Sequence, residues 1–261
     1  MEAGLNKDLP LIGVIGGVGP YAGLDFVRNI FSNTIAVKDQ EHLNCMLISC
    51  SSIIPDRTGF LLSDGTQENP ALGMFECARR LNMAGVRYAV VACNTAHSNK
   101  IFSPFVSMVK EHLPGIKIIN MLETCMIHVK ESLRIKKIGL LATIGTYKSR
   151  VYHEYFKTEE GFNLIEPDTP GQENIHQAIY DEQFGIKSHS QPVTSKAVEM
   201  ICDEINKLVN CGAKAIILGC TELPLAMKGI NLPVPVIDPG LITARALIKL
   251  VNPEKLAALN I

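Results

Sequence analysis

Two cysteines of this chain occupy matching positions in two similar segments. Residues 85–95 read GVRYAVVACNT and residues 212–221 read GAKAIILGCT, so that Cys93 and Cys220 each follow a glycine by eight residues. A cysteine has an ordinary pKa of about 8.5, which a helix N-terminus or a nearby cation lowers, so it can exchange protons near neutral pH. The segments therefore offer two thiols of matched type for acid–base chemistry. Plain packing of buried cysteines is the alternative that the sequence leaves open.

Two matched thiols on opposite sides of one carbon atom suit the inversion of a stereocentre. One thiolate removes the α-proton of an amino acid from one face, and the other thiol delivers a proton to the opposite face. The α-C–H bond is weakly acidic, so hydrogen-bond donors must hold the carboxylate and stabilise the carbanion. Asn94, Thr95 and Thr221 directly follow the thiols and are candidate donors. The pattern predicts racemisation of an amino acid without a cofactor.

The elements that would position these residues follow an α/β rhythm, in which short apolar runs alternate with amphipathic segments. Parallel strands are predicted at 11–15, 45–49, 88–92, 116–119, 138–142, 163–166, 215–218 and 234–237. Helices are predicted near 71–84, 121–133, 172–183, 193–209 and 239–250, and over an earlier stretch with apolar residues at helical spacing from Leu24 to Ile35. Pro20, Pro70 and Pro239 stand where a first helical turn can begin.

A second pair of landmarks supports an internal repeat. Ile12-Gly13 matches Ile138-Gly139 at a shift of 126 positions, and the two cysteines are 127 positions apart. We interpret this agreement as two related halves, with chance similarity of short strand–turn segments as the alternative. Residues just after a strand's carboxyl end line the ligand crevice of such folds, which is where both cysteines fall. The expected architecture is α/β, with two pseudo-symmetric parallel-sheet domains, 1–118 plus 230–261 and 119–229, and the active site in the cleft between them.

Composition narrows the possible partners. The chain has 261 residues, 47% of them hydrophobic, and its 25 basic and 26 acidic side chains give a net charge of −1, so neither nucleic acid nor an acidic membrane is an expected partner. No apolar run is long enough to cross a bilayer, and residues 1–9 carry charges where a secretory peptide needs an apolar stretch. We expect a cytoplasmic protein. Its eight cysteines form no CxxC pair, so most are expected to be reduced packing residues.

Two other motifs are weak. Residues 17–22 fit the relaxed GxGxxA dinucleotide fingerprint, but 49–51 read SCS where an acidic residue is required. We interpret these glycines as a tight turn that brings the backbone close to a small ligand. The seven histidines show no metal-binding spacing, so no metal and no cofactor are expected. His97, four residues after Cys93, either tunes that thiol or serves as a helix-capping or core residue.

The cysteine segments resemble the two signatures of the aspartate/glutamate racemase family. The resemblance spans nearly the whole chain and rests on residues 90–97 (VVACNTAH) and 216–224 (IILGCTELP), with support from 12–20, 54–58, 139–143 and 236–239. It implies a cofactor-independent racemase, usually a homodimer, that acts on a small amino acid. By matching position, it implies Cys93 and Cys220 as the acid–base pair, and Asn94, Thr95, Thr143 and Thr221 as residues that hold the α-carboxylate or amine.

Three further positions bear on the substrate. In aspartate-directed members the arginine that matches Arg57 is thought to engage an acidic substrate, and guanidinium suits a carboxylate; a solvated loop arginine is the alternative. Those members carry a lysine after an Ile-Tyr pair, but Phe184 stands at the matching position here, and Lys187 could substitute only if the loop shifts. Glu222 could bind the substrate ammonium or assist the nearby thiol, or it could compensate a helix dipole. Aspartate, glutamate and broader specificity all stay open.

Other functions remain possible at this stage. Related two-half enzymes include hydantoin racemases, maleate isomerases and arylmalonate decarboxylases. A decarboxylase delivers a proton to one face only, so the presence of both thiols argues against it. A protein of another class, which binds a small carboxylate without turnover, would also be compatible with the sequence.

Overall fold

The predicted apolar runs form the strands of two parallel sheets. The computed structural model describes residues 11–63, 65–157 and 161–258, so the predicted absence of a leader at residues 1–9 lies outside the described residues. The strands are β1 Leu11–Gly16, β2 Cys45–Ser49, β3 Val86–Val91, β4 Lys117–Ile119, β5 Lys137–Leu141, β6 Asn163–Ile165, β7 Ala215–Leu218 and β8 Val236–Ile237. Every predicted strand is confirmed, with ends that differ by no more than two residues.

The helices cover the sheets, and several of them begin at a side chain that caps the first turn. They are α1 Pro20–Ser32, α2 Arg57–Leu62, α3 Pro70–Met83, α4 Asn99–His112, α5 Met121–His128, α6 Ile144–Ser149, α7 Val151–Tyr155, α8 Thr169–Tyr180, α9 Ser195–Asn210, α10 Leu223–Ala226 and α11 Pro239–Val251. Pro20, Pro70 and Pro239 each open a helix, as predicted, because a missing N–H costs nothing in the first turn. No helix in the described ranges combines the length and the apolar character that a membrane span requires.

The two sheets have the same topology. The strand order is β2-β1-β3-β4 in the first sheet and β6-β5-β7-β8 in the second, and every pairing is parallel. Strands β1 and β3 are therefore the counterparts of β5 and β7, which is the relation that the sequence repeat predicted. The predicted architecture of two pseudo-symmetric parallel-sheet halves is confirmed.

Equivalent glycines let each sheet approach its covering helix. A Cβ atom on Gly13 of β1 would lie 2.7 Å from Val86 Cγ1 and 2.9 Å from Leu81 Cδ1. A Cβ atom on Gly139 of β5 would lie 2.5 Å from Ile216 Cδ1 and 3.0 Å from Leu208 Cδ1. Leu81 is in α3 and Leu208 is in α9, so the same close contact forms in both halves.

The C-terminal segment connects the two halves. Strand β8 pairs with β7 of the second sheet, although residues 230–261 were assigned to the first domain. Helix α11 packs on α1 and α5, and its Leu247 and Ile248 join a core cluster with Phe26 and Met121. The exact domain boundaries stay a prediction, but the segment contributes a strand to the second sheet and a helix to the core of the first half.

Helix α4 was missed because Pro104 interrupts its pattern. Proline has no N–H to donate to the carbonyl oxygen four residues earlier, which belongs to Lys100. The Asn69 side-chain amide donates to that oxygen instead, at 2.9 Å. A contact that is distant in sequence thus satisfies the acceptor that proline leaves free.

We predict that Gly13→Ala and Gly139→Ala each lower the free energy of unfolding by about 1–3 kcal/mol, because the added methyl groups overpack equivalent sheet–helix contacts. Urea unfolding followed by circular dichroism measures the change. Val37→Ala, at a residue 89% exposed, is the control and should change stability by less than about 0.5 kcal/mol. Unchanged stability in both glycine variants would show that these contacts relax freely.

Candidate active site

The carboxyl ends of the central strands in the two sheets face each other. Cys93 follows the end of β3 by two residues, Cys220 follows the end of β7 by two residues, and each is 6% exposed. The Thr221 hydroxyl donates to the carbonyl oxygen of Ala92 at 3.3 Å, so the residues next to the two thiols are hydrogen-bonded across the halves. The structure therefore places both cysteines in the region between the sheets.

Three threonine hydroxyls form a second bridge between the halves. Thr95 Oγ1 lies 2.8 Å from Thr146 Oγ1 and 3.3 Å from Thr143 Oγ1, and the latter two are 3.2 Å apart. Thr143 also caps α6, because its side chain accepts from the Thr146 backbone N–H. Thr95 and Thr143, expected to hold substrate, are thus bonded to each other. Thr146 is a member of this cluster that the sequence did not indicate.

Asn94 presents one buried amide group toward the same region. Its Oδ1 accepts from the Tyr152 hydroxyl at 2.7 Å, while its Nδ2 has no hydrogen-bond partner among the described residues. Burial raises the Tyr152 pKa well above its usual range, so the phenol stays a donor. Tyr152 was not predicted, since an aromatic residue on a short helix carries no site pattern. The Tyr152 hydroxyl fixes the orientation of the Asn94 side chain, so that its Nδ2 group can donate a hydrogen bond.

Arg57 is buried rather than solvated. Its Nη2 donates to the Val18 carbonyl at 2.5 Å and its Nη1 to the Pro55 carbonyl at 3.3 Å, but Nε has no acceptor among the described residues. Burial opposes the cation, yet the nearby Cys93 and Asp56 outweigh it, so the Arg57 pKa is raised. The loop alternative is wrong, because the guanidinium is 7% exposed and reaches the Cys93 side of the site.

Cys220, Glu222 and Lys187 form a chain of polar contacts. Cys220 Sγ donates to Glu222 Oε2 at 2.9 Å, and Lys187 Nζ donates to Glu222 Oε1. Burial raises the Glu222 pKa, but Lys187 outweighs it and the net pKa is lowered; the Lys187 pKa is raised because Glu222 likewise outweighs burial. Burial and then Glu222 raise the Cys220 pKa well above its usual range. At neutral pH the chain is a thiol, a carboxylate and an ammonium.

Lys187 lies in the pocket wall and bonds to Glu222 because the chain folds back after α8. After α8 the chain turns back, and the backbone N–H groups of Ile186 and Lys187 donate to Ala178 and Ile179 of that helix. Phe184, the residue at the matching position, instead packs against the apolar core cluster formed by α8, α9 and β7, with Lys196 above its ring. The folded-back turn therefore places Lys187, and not Phe184, in the wall of the pocket.

A pocket of about 300 Å³ lies beside these residues. Its wall includes Gly17, Gly19, Asp56, Arg57, Lys187 and Glu222. A Cβ atom on Gly19 would lie 2.1 Å from Glu222 Oε1, so this tight turn makes room for the carboxylate. Neither cysteine lines the pocket, and Cys220 is linked to the pocket wall through Glu222.

His97 is a buried capping residue. Its Nδ1 lies 2.8 Å from the Cys93 carbonyl oxygen, and its Nε2 accepts from the Met121 backbone N–H at 3.2 Å. These partners require a neutral ring with the proton on Nδ1, and burial lowers its pKa to about 4. Of the two expectations, helix capping is confirmed, since Met121 begins α5.

Comparisons with known proteins agree with this fold. A family profile described as Asp/Glu/Hydantoin racemase matches residues 15–247 of this chain. The chain therefore belongs to this family. The solved structure of Picrophilus torridus aspartate racemase superimposes with a TM-score of 0.77 at 30% identity, and the match covers 93% of this chain and 94% of that chain. The predicted family resemblance is thereby confirmed.

Curated relatives align over different shares of their length. A glutamate racemase of Pediococcus pentosaceus is 28% identical over 185 residues, which cover 69% of this chain and 64% of that protein. A broad specificity amino-acid racemase of Bacillus subtilis is 22% identical over 243 residues, 90% of this chain and 96% of that protein. An uncharacterised Pectobacterium carotovorum protein is matched over 56% of its length, so the chain spans less than two thirds of some relatives.

We predict that His97 makes stability depend on pH. Its folded pKa of about 4 lies below the unfolded value of about 6.5, so only the unfolded chain binds this proton between those pH values. The stabilisation is complete above about pH 6.5 and falls by about 3 kcal/mol as the pH drops to 4. Burial raises the Asp238 pKa to about 6, which has the opposite effect in the same interval.

Comparison with His97→Gln isolates the histidine, because Asp238 is common to both proteins. Urea unfolding at intervals from pH 4 to pH 7 should show the stability advantage of the parent protein shrinking as the pH falls. An advantage that is independent of pH would contradict a buried neutral His97.

Proposed function

We propose that this protein racemises an acidic amino acid, aspartate or glutamate, without a cofactor, by two-base proton transfer between Cys93 and Cys220. The observation that carries the proposal is the equivalence of the two thiols. They follow the ends of the corresponding strands β3 and β7 in facing halves, and the Thr221–Ala92 hydrogen bond connects their neighbours. Inversion of a stereocentre needs one acid–base group on each face of the carbon, which this arrangement offers.

In the proposed reaction, the thiolate of one cysteine takes the α-proton, and the thiol of the other gives a proton to the opposite face. The carbanion between these steps places charge on the α-carboxylate, which needs hydrogen-bond donors. Asn94 Nδ2 is a buried donor without a partner among the described residues, and Tyr152 holds the amide in that orientation. Buried donors of this kind require an acceptor, and a substrate carboxylate supplies one.

The charges of the pocket support an acidic substrate. Arg57 and Lys187 both line it, and Arg57 Nε has no protein acceptor in the described part of the chain. Lys187 is matched by Glu222, whereas the Arg57 guanidinium uses neutral backbone carbonyls. A guanidinium with a free N–H suits the distal carboxylate of aspartate or glutamate. The named activities of the Picrophilus and Pediococcus relatives are consistent with such a substrate.

Binding of a small carboxylate without turnover is a second candidate. The observation that favours it is the burial of both thiols, which do not line the pocket. Proton magnetic resonance in D₂O separates the two functions, since racemisation replaces the α-proton of the substrate by deuterium. Binding without exchange for aspartate, glutamate and neutral amino acids would favour the binding protein.

We predict that Cys93→Ala and Cys220→Ala each reduce racemisation by at least about 10²-fold, because each removes one of the two proton-transfer groups. Chiral chromatography of the product measures the rate, and circular dichroism verifies the fold. Cys211→Ala, at an exposed free cysteine, is the matched control. A double Cys93→Ala/Cys220→Ala variant that still racemises amino acids would refute the two-thiol mechanism.

We predict that Arg57→Lys mainly weakens the binding of acidic substrates. Lysine keeps the positive charge but loses the Nε donor and the planar fork, so KM for aspartate or glutamate should rise about tenfold while neutral amino acids change less. Initial-rate kinetics on both substrate classes measure the effect. Arg87→Lys, at an exposed arginine of β3, is the control. Equal losses for acidic and neutral substrates would contradict a role in side-chain recognition.

A further inference from the structure

The two halves carry chemically different side chains at the second position after each cysteine. The first half reads Cys93-Asn94-Thr95, and the second reads Cys220-Thr221-Glu222. Thr95 places a neutral hydroxyl in the threonine cluster, whereas Glu222 places a carboxylate 2.9 Å from the Cys220 sulfur. The two thiols therefore have unlike electrostatic surroundings, although their strands are equivalent.

The hydrogen bonds of Glu222 favour assistance to the thiol over its other expected roles. Helix α10 has only four residues, and the Glu222 side chain makes no capping hydrogen bond to it. Both carboxylate oxygens already accept hydrogen bonds, Oε1 from Lys187 and Oε2 from Cys220, with Thr221 Oγ1 at 3.4 Å from Oε2. The carboxylate thus accepts from the Cys220 thiol and from Lys187, and not from the backbone of α10.

Cys93 has a different charged neighbour. The Arg57 cation interacts with Cys93. Among the described residues, no side-chain carboxylate accepts a hydrogen bond from this guanidinium, which donates to backbone carbonyl oxygens instead. A cation favours a thiolate, and an anion that accepts the S–H bond favours a thiol. The charged and titratable groups around the pair are Arg57, Asp56, Tyr180, Lys187 and Glu222, and Arg57 and Glu222 also interact with each other.

We propose that Glu222 is a positioning residue that fixes the resting protonation of the pair, so that Cys220 is the acid and Cys93 is the base when substrate first binds. The inference rests on the proposed racemisation. The α-proton passes to the Cys93 thiolate, the Cys220 thiol gives its proton to the other face, and the protein is left with a Cys93 thiol and a Cys220 thiolate. Return of one proton from Cys93 to Cys220 through solvent restores the resting form.

This resting form favours one enantiomer, the one whose α-hydrogen points to Cys93. Enantiomers have equal free energy in water, so kcat/KM is the same in both directions whatever the protein does. The asymmetry instead makes kcat and KM each differ between the two enantiomers, while the ratio kcat/KM stays equal. Replacement of Glu222 by glutamine should bring the two KM values closer together, because the isosteric amide removes the charge that distinguishes the thiols.

The direct test measures each thiol separately in proteins that keep one member of the pair. Cys93→Ala leaves Cys220, Cys220→Ala leaves Cys93, and Glu222→Gln is added to each. The pH profile of iodoacetamide alkylation, resolved by peptide mass spectrometry, reports thiolate formation without any substrate. We expect Glu222→Gln to move the Cys220 midpoint down by at least about one pH unit and the Cys93 midpoint by much less.

Exchange of the α-proton in D₂O gives the functional readout. Glu222→Gln should raise Cys220-dependent exchange about threefold or more at pH 7, because the larger thiolate fraction outweighs the lower basicity of that thiolate. Glu222→Asp should keep most of the parent behaviour, and Glu199→Gln, at an exposed residue, controls for the change in net charge. A fall in Cys220-dependent exchange would overturn the inference and make Glu222 a proton acceptor.

The remaining outcomes are also decisive. Equal shifts for both thiols would assign Glu222 a purely structural role. Exchange absent from the parent and from both single-thiol proteins would refute the proposed racemisation, while the alkylation profiles would still decide whether Glu222 controls Cys220.

Discussion

The pairing of Lys187 with Glu222 is the interaction on which the site depends. An isolated carboxylate or ammonium is costly to bury, and burial is tolerated only when each charge has a partner. Glu222 is 3% exposed, and its carboxylate is kept ionised by Lys187 and by the Cys220 S–H donor. The fold-back after α8 and the absence of a side chain at Gly19 both follow from this requirement, since one delivers the ammonium and the other leaves space for the carboxylate. Loss of either charge would leave the other buried alone.

Several hydrogen bonds between the halves use hydroxyl groups. Thr95 bonds to Thr143 and Thr146, Thr221 to the Ala92 carbonyl, and Tyr180 to Asp56 at 3.1 Å. A hydroxyl can rotate and act as donor or acceptor, so these bonds can exchange one partner for another at little cost. The same threonines that join the halves can therefore turn to a carboxylate. This explains why Thr95 and Thr143, which were expected to hold the substrate, are hydrogen-bonded to each other.

The sequence predicted what depends on local patterns. Strands such as β1 and β7 and helices such as α9 follow from apolar periodicity, and the cysteine repeat located the facing strand ends. Tyr152 and Thr146 could not be found this way, because their roles depend on hydrogen bonds to Asn94 and Thr95, more than 50 positions away. Lys187 was set aside because register along the sequence favoured Phe184. Only the folded-back turn, whose hydrogen bonds run to α8, shows which of the two residues reaches the pocket.

Backbone symmetry and chemical symmetry are separate properties of this protein. A duplicated fold guarantees two strand ends at equivalent places, but the side chains that follow them are free to differ. Here Cys93 interacts with the Arg57 cation and Cys220 donates to the Glu222 carboxylate, so two thiols at equivalent strand ends have unlike electrostatic surroundings. A two-base reaction needs one protonated and one deprotonated group in every productive complex. If both thiols had the same environment, neither would be favoured as the protonated member of the pair. Unlike environments favour one arrangement, in which one particular thiol is protonated and the other is deprotonated.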